Sequence, residues 1–509
     1  NGDSLVLDLE VQADVSRAII NTLCKNGYLE IIQKQVERDP FKNKNIEKSV
    51  NLKFTDEQQN AYDTICDAMD DMLFSEFLID GVTGCGKTEI YIQLIEEALK
   101  LGKSSIMLVP EISLTPQTVD RFLSRFGEEN IAVLHSKLSS GERFDQWKKI
   151  KKGQAKIVIG ARSAIFAPVE NIGLIIIDEE HDDSYKSENS PRYNAKEIAK
   201  YIAENNQIPL VLGSATPDMS TYYKASNNEI ELLQLSKRAN KMELPEVSIV
   251  DLRNELAAGN KTMISTELKA EIEKNLQNKK QTILFLNRRG FSTFIMCRDC
   301  GYTAKCRNCN ITLTYHLKEN KLKCHYCGYE TKAINVCPEC GSQNIRYFGT
   351  GTQKLEEQIK KLFPTASTIR MDVDTVTKKN SHEEILNKFK KEEIDILIGT
   401  QMVVKGHDFP NVTLVGVIAA DSSLNIDDYR AHERTFQTLT QVAGRAGRGK
   451  DRGRVIIQTY NPENFAIECS REQNYDLFYQ TEIGIRQSLK YPPFCDIIVI
   501  GMTSTDEKE

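Results

Sequence analysis

Residues 77–88 read Phe77-Leu78-Ile79-Asp80-Gly81-Val82-Thr83-Gly84-Cys85-Gly86-Lys87-Thr88, and a helical pattern follows over 89–99. An apolar strand, a glycine-rich loop and a helix in that order match GxxxxGK[ST] in the context the pattern needs. Glycines let the backbone N–H groups of Gly81, Val82, Thr83, Gly84, Cys85 and Gly86 wrap phosphate oxygens, and the helix N-terminus adds partial positive charge. Lys87 is expected to reach the β- and γ-phosphates of a nucleotide and the Thr88 hydroxyl to ligate Mg²⁺. Cys85 reads as a passive loop residue.

Working outward from the loop, short apolar segments alternate with amphipathic helical stretches, which predicts a parallel α/β fold. Strands are expected at 77–80, 105–109, 156–159, 174–177 and 210–213, and in a second series at 282–286, 368–371, 394–398, 414–418 and 454–458. One of them, Leu174-Ile175-Ile176-Ile177, delivers Asp178-Glu179-Glu180-His181 at its C-terminal tip, about 90 residues after the loop. That matches a Walker B segment: Asp178 would hold Mg²⁺, and Glu179 is placed to orient and polarise an attacking water. Farther on stands Gln441-Val442-Ala443-Gly444-Arg445-Ala446-Gly447-Arg448. Arg445 and Arg448, three apart on one helix face, can both meet a γ-phosphate presented from another lobe.

Composition removes other classes. The 509 residues suggest three or four folded units, and 40% hydrophobic with 27% charged residues is ordinary for a globular chain. A formal charge of −6 argues against a histone-like polycation. No apolar run approaches the ~18 residues needed to cross a bilayer, and no signal peptide is evident, so no membrane association is expected. The chain starts without Met and stops soon after a strand-like stretch at 497–501, which reads as a piece of a longer protein.

Of 13 cysteines, eight lie between 297 and 340 as four CxxC pairs: Cys297/Cys300, Cys306/Cys309, Cys324/Cys327 and Cys337/Cys340. Each CxxC turn offers two thiolates to a tetrahedral ion, so the set predicts two structural Zn²⁺. From 297 to 346 eight Lys/Arg face four Asp/Glu, a surplus that offsets the net negative charge of eight thiolates and two zinc ions. Spacing alone does not choose which pairs share an ion, and the alternative, a disulfide knot, fits poorly with the intracellular motifs around it. His316 and His325 are not needed as ligands. Cys24, Cys66, Cys469 and Cys495 read as small buried hydrophobes, and Trp147, between Phe144 and Ile150, as a core residue.

DEEH at 178–181, GSATP at 213–217 and QVAGRAGR at 441–448 resemble motifs II, III and VI of superfamily II helicases. More narrowly, GVTGCGKTE at 81–89, VPEISLTPQT at 109–118, FLNRRGF at 285–291 and GTQMVVKGHDFPNVTLV at 399–415 resemble the bacterial PriA replication-restart helicase family. The four CxxC pairs inserted after FLNRRGF are the most specific part of that resemblance, which spans roughly 52–500.

The resemblance implies two RecA-like parallel-sheet lobes, the second carrying a two-zinc insertion. It implies that Cys297, Cys300, Cys337 and Cys340 share one zinc and Cys306, Cys309, Cys324 and Cys327 the other. It makes Gln58 an adenine-reading residue, adds His181 to the catalytic set of Lys87, Asp178, Glu179, Arg445 and Arg448, and lets His407 couple nucleotide to DNA. An aromatic-rich loop at 182–197 would bind DNA, with bases on Tyr185 and Tyr193 and phosphates on Lys186 and Arg192. Arg162, in Gly160-Ala161-Arg162-Ser163, and the segment Gly349-Thr350-Gly351-Thr352-Gln353 would face the DNA backbone.

The expected organisation is a winged-helix remnant and linker at 1–50, with a helix over 15–26 capped by Gly27 and a strand at 28–36. Lobe 1 follows at 51–235, the start of lobe 2 at 236–296, the zinc insertion at 297–346, the remainder of lobe 2 at 347–480, and the start of a truncated C-terminal domain at 481–509. The expected activity is ATP-dependent 3′→5′ unwinding of DNA at stalled or collapsed forks for primosome assembly, in the bacterial cytoplasm at the nucleoid. Expected partners are single-stranded and forked DNA, single-strand DNA-binding protein and helicase-loader proteins. The competing readings are a double-strand translocase, separable by strand displacement, and a zinc-dependent scaffold whose ATP site is only a switch, separable by turnover.

Overall fold

The computed structural model describes residues 4, 6–32, 48–111, 116–239, 243–286, 294–316, 319–347, 351–372, 381–400, 409–449 and 451–498. Lobe 1 is built on seven strands: β1 (Glu76–Gly81), β2 (Ser104–Leu108), β3 (Ile131–Leu134), β4 (Ile157–Gly160), β5 (Ile172–Asp178), β6 (Leu210–Ser214) and β7 (Glu231–Leu235). They form one sheet in the order β3-β4-β2-β5-β6-β1-β7, every pairing parallel. Central strands such as β5 and β6 are almost wholly buried because helices cover both faces, which is why they read as continuous apolar runs rather than alternating ones.

Lobe 2 opens with β8 (Glu246–Asp251) and β9 (Gln281–Phe285). The chain then leaves the sheet for five short strands: β10 (Ile295–Cys297), β11 (Thr314–His316), β12 (Lys321–Lys323), β13 (Glu330–Lys332) and β14 (Ile345–Tyr347). It returns as β15 (Thr368–Met371), β16 (Ile396–Gly399), β17 (Val412–Val417) and β18 (Arg454–Thr459). The lobe 2 sheet runs β15-β16-β9-β17-β18-β8, again all parallel. The excursion forms the antiparallel pair β10-β14 and the antiparallel triplet β11-β12-β13. Fold class and architecture are therefore as the sequence implied.

Three strands of the two large sheets, β3, β7 and β8, were not expected, and each is an edge strand. Near the N-terminus the helix Arg17–Lys25 is present, with Gly27 at φ +76° just beyond it. Residues 28–32 form no strand, contrary to expectation, and 33–36 lie outside the described residues. The boundary expected at 481 falls inside the helix Tyr475–Leu489. That helix belongs to lobe 2: the Arg486 guanidinium donates to Glu482 on its own helix (3.0 Å) and to Glu433 (2.7 Å), all three buried.

Trp147 is not a core residue. It is 45% exposed and stacks on Phe144, itself 57% exposed, at 6.4 Å between ring centroids. Among the described residues no helix is long and apolar enough to cross a membrane.

The lobes meet across polar contacts that place them face to face. Glu433 accepts from Met219 N (2.8 Å), Tyr475 donates to Pro217 O (2.8 Å), Tyr222 donates to Asp476 (2.6 Å), and Arg434 pairs with Asp183 (2.8 Å).

Candidate functional site

At the C-terminal end of β1 the chain turns through Gly84 and Gly86, at φ +83° and +89°, before entering the helix Lys87–Lys100. These left-handed values favour glycine, and a Cβ at Gly86 would also collide with the Gln58 amide. Lys87 is pulled back into its own loop, donating to Gly81 O at 2.6 Å. Burial opposes its charge, but Cys85, Glu179, Asp178 and Asp80 outweigh that and raise its pKa. Cys85 is buried beneath the loop, 3.9 Å from Lys87 Nζ.

Asp178 sits at the tip of β5, where burial first and then the adjacent Glu179 push its pKa up to about 7, against Lys87 and a hydrogen bond from Tyr91. Tyr91 Oη donates to Asp178 Oδ1 at 3.2 Å. Glu179 stands at φ +48°, a left-handed conformation costly for a residue with a Cβ. The turn divides the two glutamates. Glu179 lines the cleft, whereas Glu180 is fully buried against Lys196 (2.8 Å), Asp218 N (2.7 Å) and Thr221 (3.0 Å). Only the former is free to act on a reactant.

His181 joins three motifs. Its Nδ1 lies 2.7 Å from Ser214 Oγ on β6 and 3.7 Å from Glu179, and its Nε2 lies 2.7 Å from the Gln441 amide of the other lobe. With Gln441 donating to Nε2, Nδ1 carries the proton toward Ser214. Gly444 packs so closely on Thr83 that a Cβ there would come 2.5 Å from its hydroxyl. The P-loop, Asp178, Glu179, Gln441, Arg445 and Arg448 thus line one interlobe cleft of about 570 Å³.

The loop after DEEH differs from the expectation at one residue. Tyr185 is 1% exposed and its hydroxyl donates to Asp178 O at 2.6 Å. It therefore supports the acid rather than presenting a face to a base. Tyr193 meets Phe166 edge-on at 5.0 Å, with the Arg162 guanidinium 5.6 Å from its ring. Arg162 also donates to Ser184 O (3.1 Å) and Lys186 O (2.6 Å), so it braces the loop, while Lys186 and Arg192 are exposed. Gly160 is small for a reason internal to the lobe, since a Cβ there would strike Leu134 O and Ala164. Gln58 is spoken for at both ends: Oε1 accepts from Thr55 N (2.8 Å) in a capping box and Nε2 donates to Cys85 O (2.7 Å). Residues 112–115, 287–291, 349–350 and 401–408, including His407, lie outside the described residues.

In the insertion the thiols gather as two sets of four, Cys297/Cys300/Cys337/Cys340 and Cys306/Cys309/Cys324/Cys327, each within 4.8 Å. Sulfur separations of 3.5–3.7 Å suit a tetrahedral ion, since Zn–S bonds of about 2.3 Å place ligands about 3.8 Å apart. No cysteine is in a disulfide. The insertion docks on lobe 2 and the C-terminal segment, with Tyr491 donating to Cys309 O (2.8 Å) and Thr314 to Asp427 (3.1 Å).

Comparison with known proteins agrees with this layout. Residues 51–219 match the family model described as type III restriction enzyme, res subunit, and 332–450 the helicase conserved C-terminal domain. Residues 306–332 match the PriA DNA helicase Cys-rich region domain. The replication restart protein PriA of Bacillus subtilis (strain 168) is 52% identical over 492 residues, 97% of this chain and 61% of that protein. PriA of Synechocystis is 43% identical over 517 residues, 100% of this chain and 62% of that protein. PriA of Borreliella burgdorferi is 39% identical over 458 residues, 90% of this chain and 68% of that protein. The chain belongs to the PriA family of replication restart proteins. It spans about three-fifths of the length of the first two of these relatives.

Within this PriA family member, Tyr91 and Glu433 carry site geometry that their own sequence positions did not announce. Tyr91 is one of several apolar-face residues in a helix, and only the packing shows its hydroxyl on Asp178. Gly213 is bound to it, because a Cβ there would overlap the Tyr91 hydroxyl outright and stand 2.9 Å from Cζ. Gly213→Ala is expected to destabilise the chain by about 1–3 kcal/mol, as overpacking does, and Tyr91→Phe to restore part of that in the double variant. Urea denaturation of the three variants measures it.

Asp178 also makes stability pH-dependent. Its folded pKa is raised to about 7, so between its ordinary value near 4 and about 7 the folded chain holds a proton that the unfolded chain has lost. Stability from this group is therefore full at low pH and lost as pH rises toward 7. Asp178→Asn should stabilise the nucleotide-free chain at pH 8 by about 1–3 kcal/mol and far less at pH 5, read from urea midpoints at the two pH values.

Proposed function

We propose that this chain is the ATP-driven motor of a replication-restart helicase. In this reading it hydrolyses Mg-ATP between its lobes and steps 3′→5′ along single-stranded DNA, unwinding stalled or collapsed forks so that a primosome can be reassembled. The observation that carries the reading is the convergence of Lys87, Asp178, Glu179, Arg445 and Arg448 on one interlobe cleft. Such a cleft tightens or loosens with the distance between lobes, which is how nucleotide turnover becomes movement.

In the proposed mechanism Lys87 leaves Gly81 O and takes the β- and γ-phosphates, the loop N–H groups ring the phosphates, and Glu179 orients the attacking water and draws its proton. Asp178 and Thr88 would hold Mg²⁺, which supplies charge neutralisation on the phosphates; a carboxyl at a strand tip, raised by burial and by the adjacent Glu179, fits that role. Arg445 and Arg448 reach over from lobe 2 and stabilise the charge that develops at the γ-phosphate. The link from Gln441 through His181 to Ser214 would report lobe closure to the catalytic acid. Lys186 and Arg192 are the exposed loop cations proposed to meet DNA phosphates, with Tyr193 beside Arg162 as the aromatic surface for a base.

Two zinc ions in the insertion would fix its fold, since a segment of this size has too little core to stand without metal. Family membership supports the remaining parts of the proposal: work in the bacterial cytoplasm at the nucleoid, with single-strand DNA-binding protein and helicase-loader proteins as partners.

The test is ATP hydrolysis by this chain with and without single-stranded DNA across a salt series. Stimulation that fades with salt supports a DNA-coupled motor. Turnover indifferent to DNA at every salt concentration would favour the scaffold reading instead.

A further inference from the structure

Beyond β7 the chain passes to lobe 2 through a segment laid directly along the P-loop. Val82 N donates to Leu235 O (3.2 Å), Ser236 N donates to Glu57 (2.8 Å), and Ala239 N donates to Gly84 O (3.1 Å). Arg238 lies within this clamp and is 6% exposed. Its aliphatic stem and Nε run past the open side of Gly84, about 3.9 Å from where a Cβ would stand.

The guanidinium is poorly served there. One terminal nitrogen, Nη1, reaches Gly447 O of lobe 2 and Glu243 O at 3.4 Å each, while Nε and Nη2 are buried with no acceptor among the described residues. Among the described residues no carboxylate acts on it. Burial and then the nearby Arg448 both work against its charge. An uncompensated buried cation is destabilising unless an anion completes it. What borders this one is the phosphate-binding loop at Gly84, and the charge it feels is that of Arg448, which lines the cleft.

We propose that Arg238 is a third nucleotide arginine, whose guanidinium, packed over Gly84, closes on the polyphosphate of the nucleotide held in the cleft. This rests on the reading of the cleft as an ATP site. It adds that the interlobe linker itself senses occupancy, because Arg238 bridges the lobe 1 loop at Gly84 and the lobe 2 backbone at Gly447. A bound polyphosphate supplies the missing acceptors and relieves the repulsion between the two arginines, drawing linker and lobe 2 toward the loop.

The experiment compares the full 509-residue chain with R238M and R238K. Affinity for Mg-ATP and for inorganic tripolyphosphate is measured by displacement of a fluorescent nucleotide, and melting is followed without nucleotide. R238M is expected to bind both probes about tenfold or more weakly, with R238K intermediate, while melting without nucleotide stays level or rises. Binding of R238M within about twofold of the parent overturns the proposal. So does a drop in nucleotide-free melting that R238K restores, which would make Arg238 a structural clamp. A loss for Mg-ATP but not for tripolyphosphate overturns it as well, moving the contact to ribose or base. A parent chain that binds no ATP overturns the ATP-site reading itself, and that result is read on the parent alone.

Discussion

Glu179→Gln is expected to lower ATP turnover by about 10²–10⁴-fold, the range a positioned general base supplies, while leaving Mg-ATP binding in place. The substitution keeps size and removes only the ability to accept a proton. It also leaves the left-handed turn at φ +48° intact, because that conformation is set by the backbone between β5 and the Asp182 N–Glu179 O hydrogen bond at 2.9 Å. Glu180→Gln is the natural control. Glu180 is buried on Lys196, Asp218 N and Thr221, so its loss should show in stability, with Lys196 losing the carboxylate it bonds. Single-turnover hydrolysis and equilibrium nucleotide binding, measured on both variants, separate the two roles. Comparable loss of turnover in both, at unchanged stability, would remove Glu179 from the proposed chemistry.

Replacing one buried ligand of the inner thiol set, as in Cys306→Ser, is expected to halve the zinc content and unfold the insertion locally. Structural zinc contributes about 10–16 kcal/mol of apparent binding free energy, and the apolar cluster of Ile295, Ile311, Leu313, Tyr315 and Leu322 beneath it is small. The two large sheets should persist, because the insertion adds only its own short strands and extends neither. Metal analysis should read two ions in the parent and one in the variant. Hydrogen exchange should show protection lost around the inner set over 304–332 and retained in β9 and β17. Unfolding of the whole of lobe 2 would instead mean that the docking contacts from Tyr491 to Cys309 O and from Thr314 to Asp427 hold the lobe together.

The central strands were legible because parallel sheets bury both faces, leaving apolar runs such as 174–177 that need no partner to be noticed. Three of the four edge strands of the two large sheets, β3, β7 and β8, were not. Glu231–Leu235 exposes Glu231 and Gln234, and Glu246–Asp251 carries Glu246 and Ser248, so neither presents a continuous run. β3 has only four residues between two helices. Trp147 shows the same limit from the opposite direction, since an aromatic residue in a helix is read as core unless the packing is known.

Residue types and spacing by themselves determined the P-loop, the acid pair at a strand tip, the paired arginines and the four thiol pairs. Each is a local pattern whose chemistry depends on neighbours in sequence. Tertiary structure decided what each residue faces. It split Glu179 from Glu180 by one left-handed turn, and it turned Tyr185 inward onto Asp178 O. It brought the outer and the inner thiols together as two sets, joined His181 to Gln441 across the lobes, and left Arg238 buried beside Gly84. Those outcomes depend on contacts between segments as far as 260 positions apart. No local propensity encodes them, because burial and long-range hydrogen bonding are properties of the assembled core rather than of any stretch within it.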